Sequence, residues 1–286
     1  MNLSPEDLLQ GNVHISSLPI IYMRINEAVS NPRSSTSDIS AVIGDDPGLT
    51  SRLLRLVNSA FYGYPTKIDT ISRALFIVGT QQLRDLALAT SIISMFKGIS
   101  RSLVDMESFW RHSIACGIAA KILATYRRTE TNVERYFVAG TVHDIGRLII
   151  YQKKPDLARK AFIQCRTDGD LLYAAERKIL GFDHADVGRL LLQTWNLPPS
   201  LTEVVSFHHN PKGASSYPVE TSVIHVADII AHCMRLGSSG EHYIPPLSES
   251  AWDIIGLPTS VLSPVLDQLE REFTDVQRLI FGTTNE

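Results

Sequence analysis

Apolar residues recur along most of this chain at the three- and four-residue intervals of a helix with one buried side. In 49–57 (LTSRLLRLV), Leu49, Leu53, Leu54 and Val57 fall on one face. Asp45–Asp46–Pro47 stands just ahead of it. An acid there accepts a free backbone N–H, and a proline in the first turn has no N–H to leave unpaired. Ser35–Thr36–Ser37 opens a second helix through Ile39, Val42 and Ile43. Segment 81–96 (QQLRDLALATSIISMF) predicts a third, and 107–126 a fourth, with Phe109, Trp110, Ile114, Ile118 and Ile122 facing inward. Further helices are predicted over 131–142, 155–166, 171–180, 185–195, 200–208, 219–235 and 260–281. Gly181, Leu197–Pro198–Pro199 and Pro258 punctuate them. No stretch alternates with period two between hairpin turns, so the expected fold is all-α, a multi-helix bundle. Soft connections are expected at 98–105 and at the Gly/Ser/Pro-rich stretches 210–218 and 236–250. The expected division is an N-terminal helical half (1–104), a histidine-bearing helical core (105–235) and a C-terminal loop and helical extension (236–286).

Composition narrows the class. Of 286 residues, 44% are hydrophobic, enough for a sizeable core, and the formal charge is −3. That balance carries no footprint of nucleic acid or of an anionic membrane. Cys116, Cys165 and Cys233 are far apart and form no CxxC pair, which argues against a disulfide framework or a cysteine zinc site and suits a reducing cytosol. The opening MNLSPEDLLQG is acidic and does not read as a signal peptide, and no apolar run approaches the ~20 residues of a membrane span. A cytoplasmic location is expected.

The chemistry concentrates in the histidines. The chain has nine, and several stand in apolar company. His143–Asp144 sits inside FVAGTVHDIGRL, His112 follows Phe109–Trp110, and His184 lies in GFDHADVG. His208–His209 ends LTEVVSFHH, and Asp228 lies in SVIHVADII. An unpaired imidazole or carboxylate is costly to bury, so these groups need partners. Imidazole nitrogen and carboxylate oxygen together suit iron, manganese, nickel or zinc. Helical bundles supply such donors from inward positions on several helices. Adjacent residues on a helix differ by ~100° in direction, so His143 and Asp144 can approach one ion from two sides. His112, His143, Asp144 and Asp228 make one four-ligand site. His184, His208 and His209 add three ligands for a second ion, with Asp144 between the two. Arg147, three residues past Asp144, offers a planar fork for a phosphate or, equally, a partner for a carboxylate. His225, three residues before Asp228, reads as a partly buried structural histidine, Asn58–Ser59 as a cap or turn, and Trp110 and Trp195 as core.

The ordered series H…HD…H…HH…D, with its flanking words, resembles the HD superfamily of metal-dependent phosphohydrolases, and more closely its HDOD branch, the HD-related output domains of bacterial signalling proteins. The matching words are DDPGLTSRLLRLVNSAFYG (45–63), ISRALFIVGTQQLRDL (71–86), FWRHS (109–113), VAGTVHDIGRLII (138–150), E…GFDHADVG (176–188), TWNLPPSL (194–201) and VVSFHHNP (204–211). They span about 15 to 235, and the N-terminal words are particular to HDOD. The resemblance implies an N-terminal helical subdomain packed on an HD-type core. It implies His112, His143, Asp144 and Asp228 as the mononuclear ligand set. It implies His184, His208 and His209 as the extra ligands of the HD-GYP branch, which hydrolyses cyclic di-GMP. Glu134 and Glu176 recur in the family words, and Glu176 reads either as a carboxylate supporting a ligand histidine from behind or as a solvent-facing residue. Three departures stand against HD-GYP activity. Arg147 replaces a lysine, Ser216 and Asn210 replace the usual glycine and glutamate around Tyr217–Pro218, and Ser108 offers no acidic ligand one turn before His112. The expected function is therefore a signalling output module that holds one or two divalent ions with little or no turnover, with a signalling protein as partner and a nucleotide or phosphate as a possible ligand. The alternative is a metal-dependent phosphohydrolase acting on a nucleotide or cyclic dinucleotide, with Arg147 on the phosphate. A weaker alternative is a metal-free structural adaptor.

Overall fold

Reciprocal caps start several helices where short polar residues precede apolar runs. Ser35 Oγ accepts from Asp38 N (3.2 Å) while Asp38 Oδ2 accepts from Ser35 N (2.8 Å). Asp46 accepts from Leu49 N (2.9 Å) with Pro47 in the first turn, and Asp183 and Asp186 cap one another ahead of His184. The computed structural model describes residues 3–10, 17–96, 99–101, 103–130 and 132–281; His14 and part of the expected 98–105 connection lie outside them. The helices are α1 (Pro5–Leu9), α2 (Ile20–Ser30), α3 (Thr36–Gly44), α4 (Pro47–Val57), α5 (Ile71–Val78), α6 (Thr80–Met95), α7 (Met106–Tyr126) and α8 (Glu134–Val142). They continue as α9 (Ile145–Lys153), α10 (Pro155–Asp168), α11 (Leu172–Leu180), α12 (His184–Thr194), α13 (Pro199–Phe207), α14 (Pro218–Cys233), α15 (Glu249–Ile255) and α16 (Leu262–Phe281). No strand occurs among the described residues, and the fold is all-α. The predicted helices recur within a few residues of their expected ends, while α1, α2, α5, α9 and α15 are additions.

Helix α7 forms the axis of the core. Phe109, Ile114, Cys116, Ile118 and Leu123 are wholly buried, and α8, α14 and α16 pack around it. Two glycines set a close crossing. A Cβ on Gly140 would lie 2.6 Å from the Gly117 backbone, and one on Gly117 would lie 2.6 Å from Phe137 O. Only hydrogen at both positions lets α7 and α8 touch backbone to backbone. A second close approach, Gly146 against His184 O and Gly188 N, seats α9 on α12. These contacts bring His112, His143–Asp144 and His184 into one neighbourhood.

The N-terminal helices join this core through α6, which packs on α8, and through the loop after α4. Asn58 fixes that loop, donating to Leu54 O and Ile68 O and accepting from Ile68 N. Beside it, Lys121 Nζ of α7 sits 3.6 Å from the Phe61 ring centre, 4.0 Å from that of Tyr62 and 3.4 Å from Glu134 Oε1. Helix α1 packs on α12 and α9, across the bundle from its neighbours in sequence. Helix α16 covers α4 and α7 with Val265, Leu269, Phe273 and Val276. The expected soft stretch 236–250 is anchored: Ser239 is fully buried, its Oγ accepts from Arg147 Nη1 (3.0 Å) and its carbonyl accepts from Tyr151 Oη (2.7 Å). Among the described residues no helix is long and apolar enough to cross a membrane.

Candidate metal centre

Five stretches of chain converge. Helix α7 supplies His112, the first residue of α12 is His184, the end of α13 carries His208 and His209, and α14 carries Asp228 and His232. The sequence reading treats His143 and Asp144 as adjacent residues on a helix, although its predicted helix stops at 142; the structure puts the pair at the junction of two helices. His143 ends α8, and Asp144, at φ −95° and ψ 10°, precedes α9. The break turns α9 toward α12, where Gly146 meets His184. Burial is nearly complete: His112, His143, His184 and His208 are at 0% exposure, Asp144 at 1% and Asp228 at 3%.

The Asp144 carboxylate stands between two histidine groups, one oxygen toward each. Oδ2 lies 3.4 Å from His143 Nε2 and 4.0 Å from His112 Nε2. Oδ1 lies 3.0 Å from His184 Nε2 and 3.7 Å from His208 Nε2. His209 Nε2 is 2.9 Å from His184 Nε2, completing the second group. Asp228 Oδ1 extends the first, 3.0 Å from His112 Nε2 and 3.5 Å from His143 Nε2. Donors bound about 2.0–2.2 Å from one ion lie about 3–4 Å from each other, and these separations fall in that range.

The far ring nitrogens fix which nitrogen faces inward. His143 Nδ1 meets Gly140 O (2.7 Å), His208 Nδ1 meets Val205 O (2.9 Å) and His184 Nδ1 meets Glu176 Oε2 (2.6 Å). Carbonyl and carboxylate oxygens only accept, so each Nδ1 donates and each Nε2 is left to turn its lone pair inward. Lone pairs facing carboxylate oxygens repel unless a cation lies between them. Consistent with this, His112 Nδ1 and Nε2, His143 Nε2 and Asp228 Oδ1 are buried and have no hydrogen-bond partner, and Asp144 Oδ1 is buried with an ion pair to Arg147 but no hydrogen bond. A cluster of such atoms is expensive in a folded protein and points to a missing positive charge.

In the metal-free protein, protons take part of that role. Burial pulls the His143 imidazole down, but the Asp144 carboxylate overrides it and lifts His143 well above its usual range. His184 is likewise opposed by burial and raised to about 9, chiefly by Glu176. Burial outweighs the pull of Asp228 and drives His112 down to about 4, outweighs that of Asp144 at His208, and pushes His209 down as well. Burial works against the Asp144 charge, yet Arg147 and then His143 and His184 hold the carboxyl well below its ordinary value. Asp228 behaves alike, held down by His232, His112 and His143.

These residues fit a divalent metal. His112, His143, Asp144 and Asp228 would hold one ion, and Asp144, His184, His208 and His209 a second. Such ions act as Lewis acids and lower the pKa of bound water. The expected set is brought together whole, and of the two readings of Glu176 the structure matches the buried carboxylate behind His184. Arg147 is buried and committed, with Nε 3.1 Å from Asp144 Oδ1 and Nη1 on Ser239. Of its two sequence-level roles, the geometry matches the carboxylate partner, and no face of it is turned out for a phosphate. His225 Nδ1 donates to His208 O (2.7 Å) and its Nε2 accepts from Ser248 N (3.0 Å), so it braces the double-histidine turn. Ser216 N and Tyr217 N both donate to Glu203 Oε1, tying down the loop that departs from the GYP pattern. The sequence reading missed His232, whose Nε2 is 3.3 Å from Asp228 Oδ1. Its i+4 spacing from Asp228 was the available signal. A cavity of about 430 Å³ lined by Arg84, Asp85, Arg135, Tyr136 and Pro198–Pro199 includes none of the cluster residues.

Known proteins resemble this chain along most of its length. The family model described as the HDOD domain matches residues 15–211. A curated protein of Treponema pallidum (strain Nichols), named "Uncharacterized protein", is 26% identical over 217 residues, 75% of this chain and 42% of its own length. The chain thus spans less than half of that relative. A crystal structure of an HDOD domain protein with unknown function from Geobacter sulfurreducens superposes with a TM-score of 0.71 at 20% identity, covering 92% of this chain and 91% of that one. Another, from Shewanella amazonensis SB2B and named "Putative phosphohydrolase", gives 0.65 at 27% identity, covering 92% and 88%.

Proposed function

This chain belongs to the HDOD domain family, and from that premise we propose that it is a bacterial signal-transduction output module whose HD-type centre holds divalent metal and turns over little or no substrate. The observation that carries the reading is the enclosure of a nearly complete ligand set. Every ligand from His112 to Asp228 except the partly buried His209 is at most 3% exposed. Arg147, the candidate phosphate grip, is spent on Asp144 and Ser239. Catalytic ions keep a coordination position open to water and substrate; here protein closes over the donors. The ion then organises five stretches of chain and makes the fold respond to metal. The N-terminal half, residues 1–104, bears the exposed apolar side chains Ile20, Met23 and Phe76, and we assign the signalling partner to it. The free cysteines fit a cytoplasmic setting.

The second reading is a phosphohydrolase acting on a nucleotide or cyclic dinucleotide. The doubled ligand group around Asp144 favours it, as does the name of the Shewanella relative. One experiment separates the two. The purified protein is analysed for iron, manganese, nickel and zinc, then assayed on nucleotides and cyclic dinucleotides with iron or manganese added. Bound metal without turnover supports the module. Turnover abolished by Asp144→Ala with folding retained supports the hydrolase. A protein that binds no metal and whose melting temperature ignores added metal overturns both.

A further inference from the structure

A histidine outside the family-derived ligand set stands at the first metal position. Asp228 and His232 are one turn apart on α14, so their side chains share a face. His232 Nε2 lies 3.3 Å from Asp228 Oδ1, and His112 Nε2 lies 3.0 Å from that same oxygen. The His112 and His232 rings are 4.3 Å apart, centre to centre, inclined at 41°. One donor atom each from His112, Asp228 and His232 lies within 4.8 Å of the others, as the ligand atoms of a single ion would. The His232 side chain is 9% exposed and groups with His112 and Asp228, whereas His184 and His208 gather around Asp144 Oδ1.

We propose that His232 is a fifth protein ligand to the ion held by His112, His143, Asp144 and Asp228. The inference rests on the metal-centre reading above and adds to it a specific consequence. An imidazole at this point fills a position that a hydrolytic ion leaves for water. His232 would thereby make the first position retentive and unreactive, while the second position, with three histidines and Asp144, stays as it is. The competing role is purely positional, in which His232 only steadies Asp228 by a hydrogen bond.

Cobalt(II) distinguishes these roles, because its visible absorption reports the number and kind of donors. The full-length protein is stripped of metal, saturated with cobalt and compared with His232→Ala and His232→Gln, with folding of each checked by circular dichroism. Direct ligation predicts a shifted d–d spectrum in both variants and a cobalt affinity at one site weaker by about tenfold or more. It also predicts that free imidazole restores the wild-type spectrum to His232→Ala. If the wild type binds cobalt and both variants keep its spectrum, the metal centre stands and the fifth ligand is refuted, whether or not affinity falls. If the wild type binds no cobalt, the metal reading itself fails, and this inference with it.

Discussion

Asp144 faces two histidine groups with one carboxylate oxygen each, so its substitution is expected to act on both. Asp144→Ala should remove bound metal altogether. Added manganese or iron should then no longer raise the melting temperature, as thermal unfolding with and without metal will show. Glu176 calls for a different prediction, set by pH. In the metal-free protein His184 is raised to about 9, mainly by Glu176 against the pull of burial. A raised imidazole contributes stability that is complete below its unfolded value of about 6.5 and is lost as pH rises through about 9. Glu176→Gln should therefore cost on the order of 3 kcal/mol at pH 6, with the difference shrinking by pH 9.5. Urea unfolding of the metal-free forms at the two pH values checks this.

At the scale of the element, two glycine contacts set the geometry that brings the ligands together. Gly140→Ala would drive a methyl group to 2.6 Å from the Gly117 backbone. The expected cost is about 1–3 kcal/mol, the usual range for overpacking. Because Gly140 O holds the His143 ring, metal affinity should fall as well, which calorimetric titration will read. The expected helices with one polar and one apolar face were legible in the sequence, and α4 and α7 lie close to where the pattern puts them. The predicted helix over 131–142 stops where α8 does, but the new helix α9 just past Asp144 was not legible. Every residue from Tyr136 to Tyr151 is buried, so no alternation of polar and apolar positions marks where α9 starts and ends. Helices α2 and α5 were obscured for the opposite reason: Ile20, Met23 and Phe76 put apolar residues on exposed faces. The candidate ligands and their division into two groups about Asp144 were expected from their order along the chain and a family resemblance, but the helix contacts that assemble them were not. His232 stood in an ordinary helix end, and only the approach of α14 to α7 gives it a role.

Beside the packing of α6 on α8, a mostly buried amine ties the N-terminal helices to the metal-bearing helix. Lys121 lies on α7 with His112, and its Nζ rests over Phe61 and Tyr62 beside Glu134. Lys121→Met should lower stability by about 0.5–2 kcal/mol, the worth of a desolvated cation–π contact. It should also raise amide hydrogen exchange in 59–67 while leaving metal stoichiometry unchanged. The loop 236–248 acts at the same scale, since Ser239 engages Arg147 and Ser248 engages His225. It links the C-terminal segment to Asp144 through Arg147 and to the double-histidine turn through His225. The central claim is that these long-range contacts assemble one cation site around Asp144. Anomalous diffraction from crystals grown with manganese or iron tests it most directly. The account predicts a peak about 2.0–2.2 Å from His143 Nε2 and Asp144 Oδ2. A map without anomalous density there, with these side chains in the arrangement described, would contradict it.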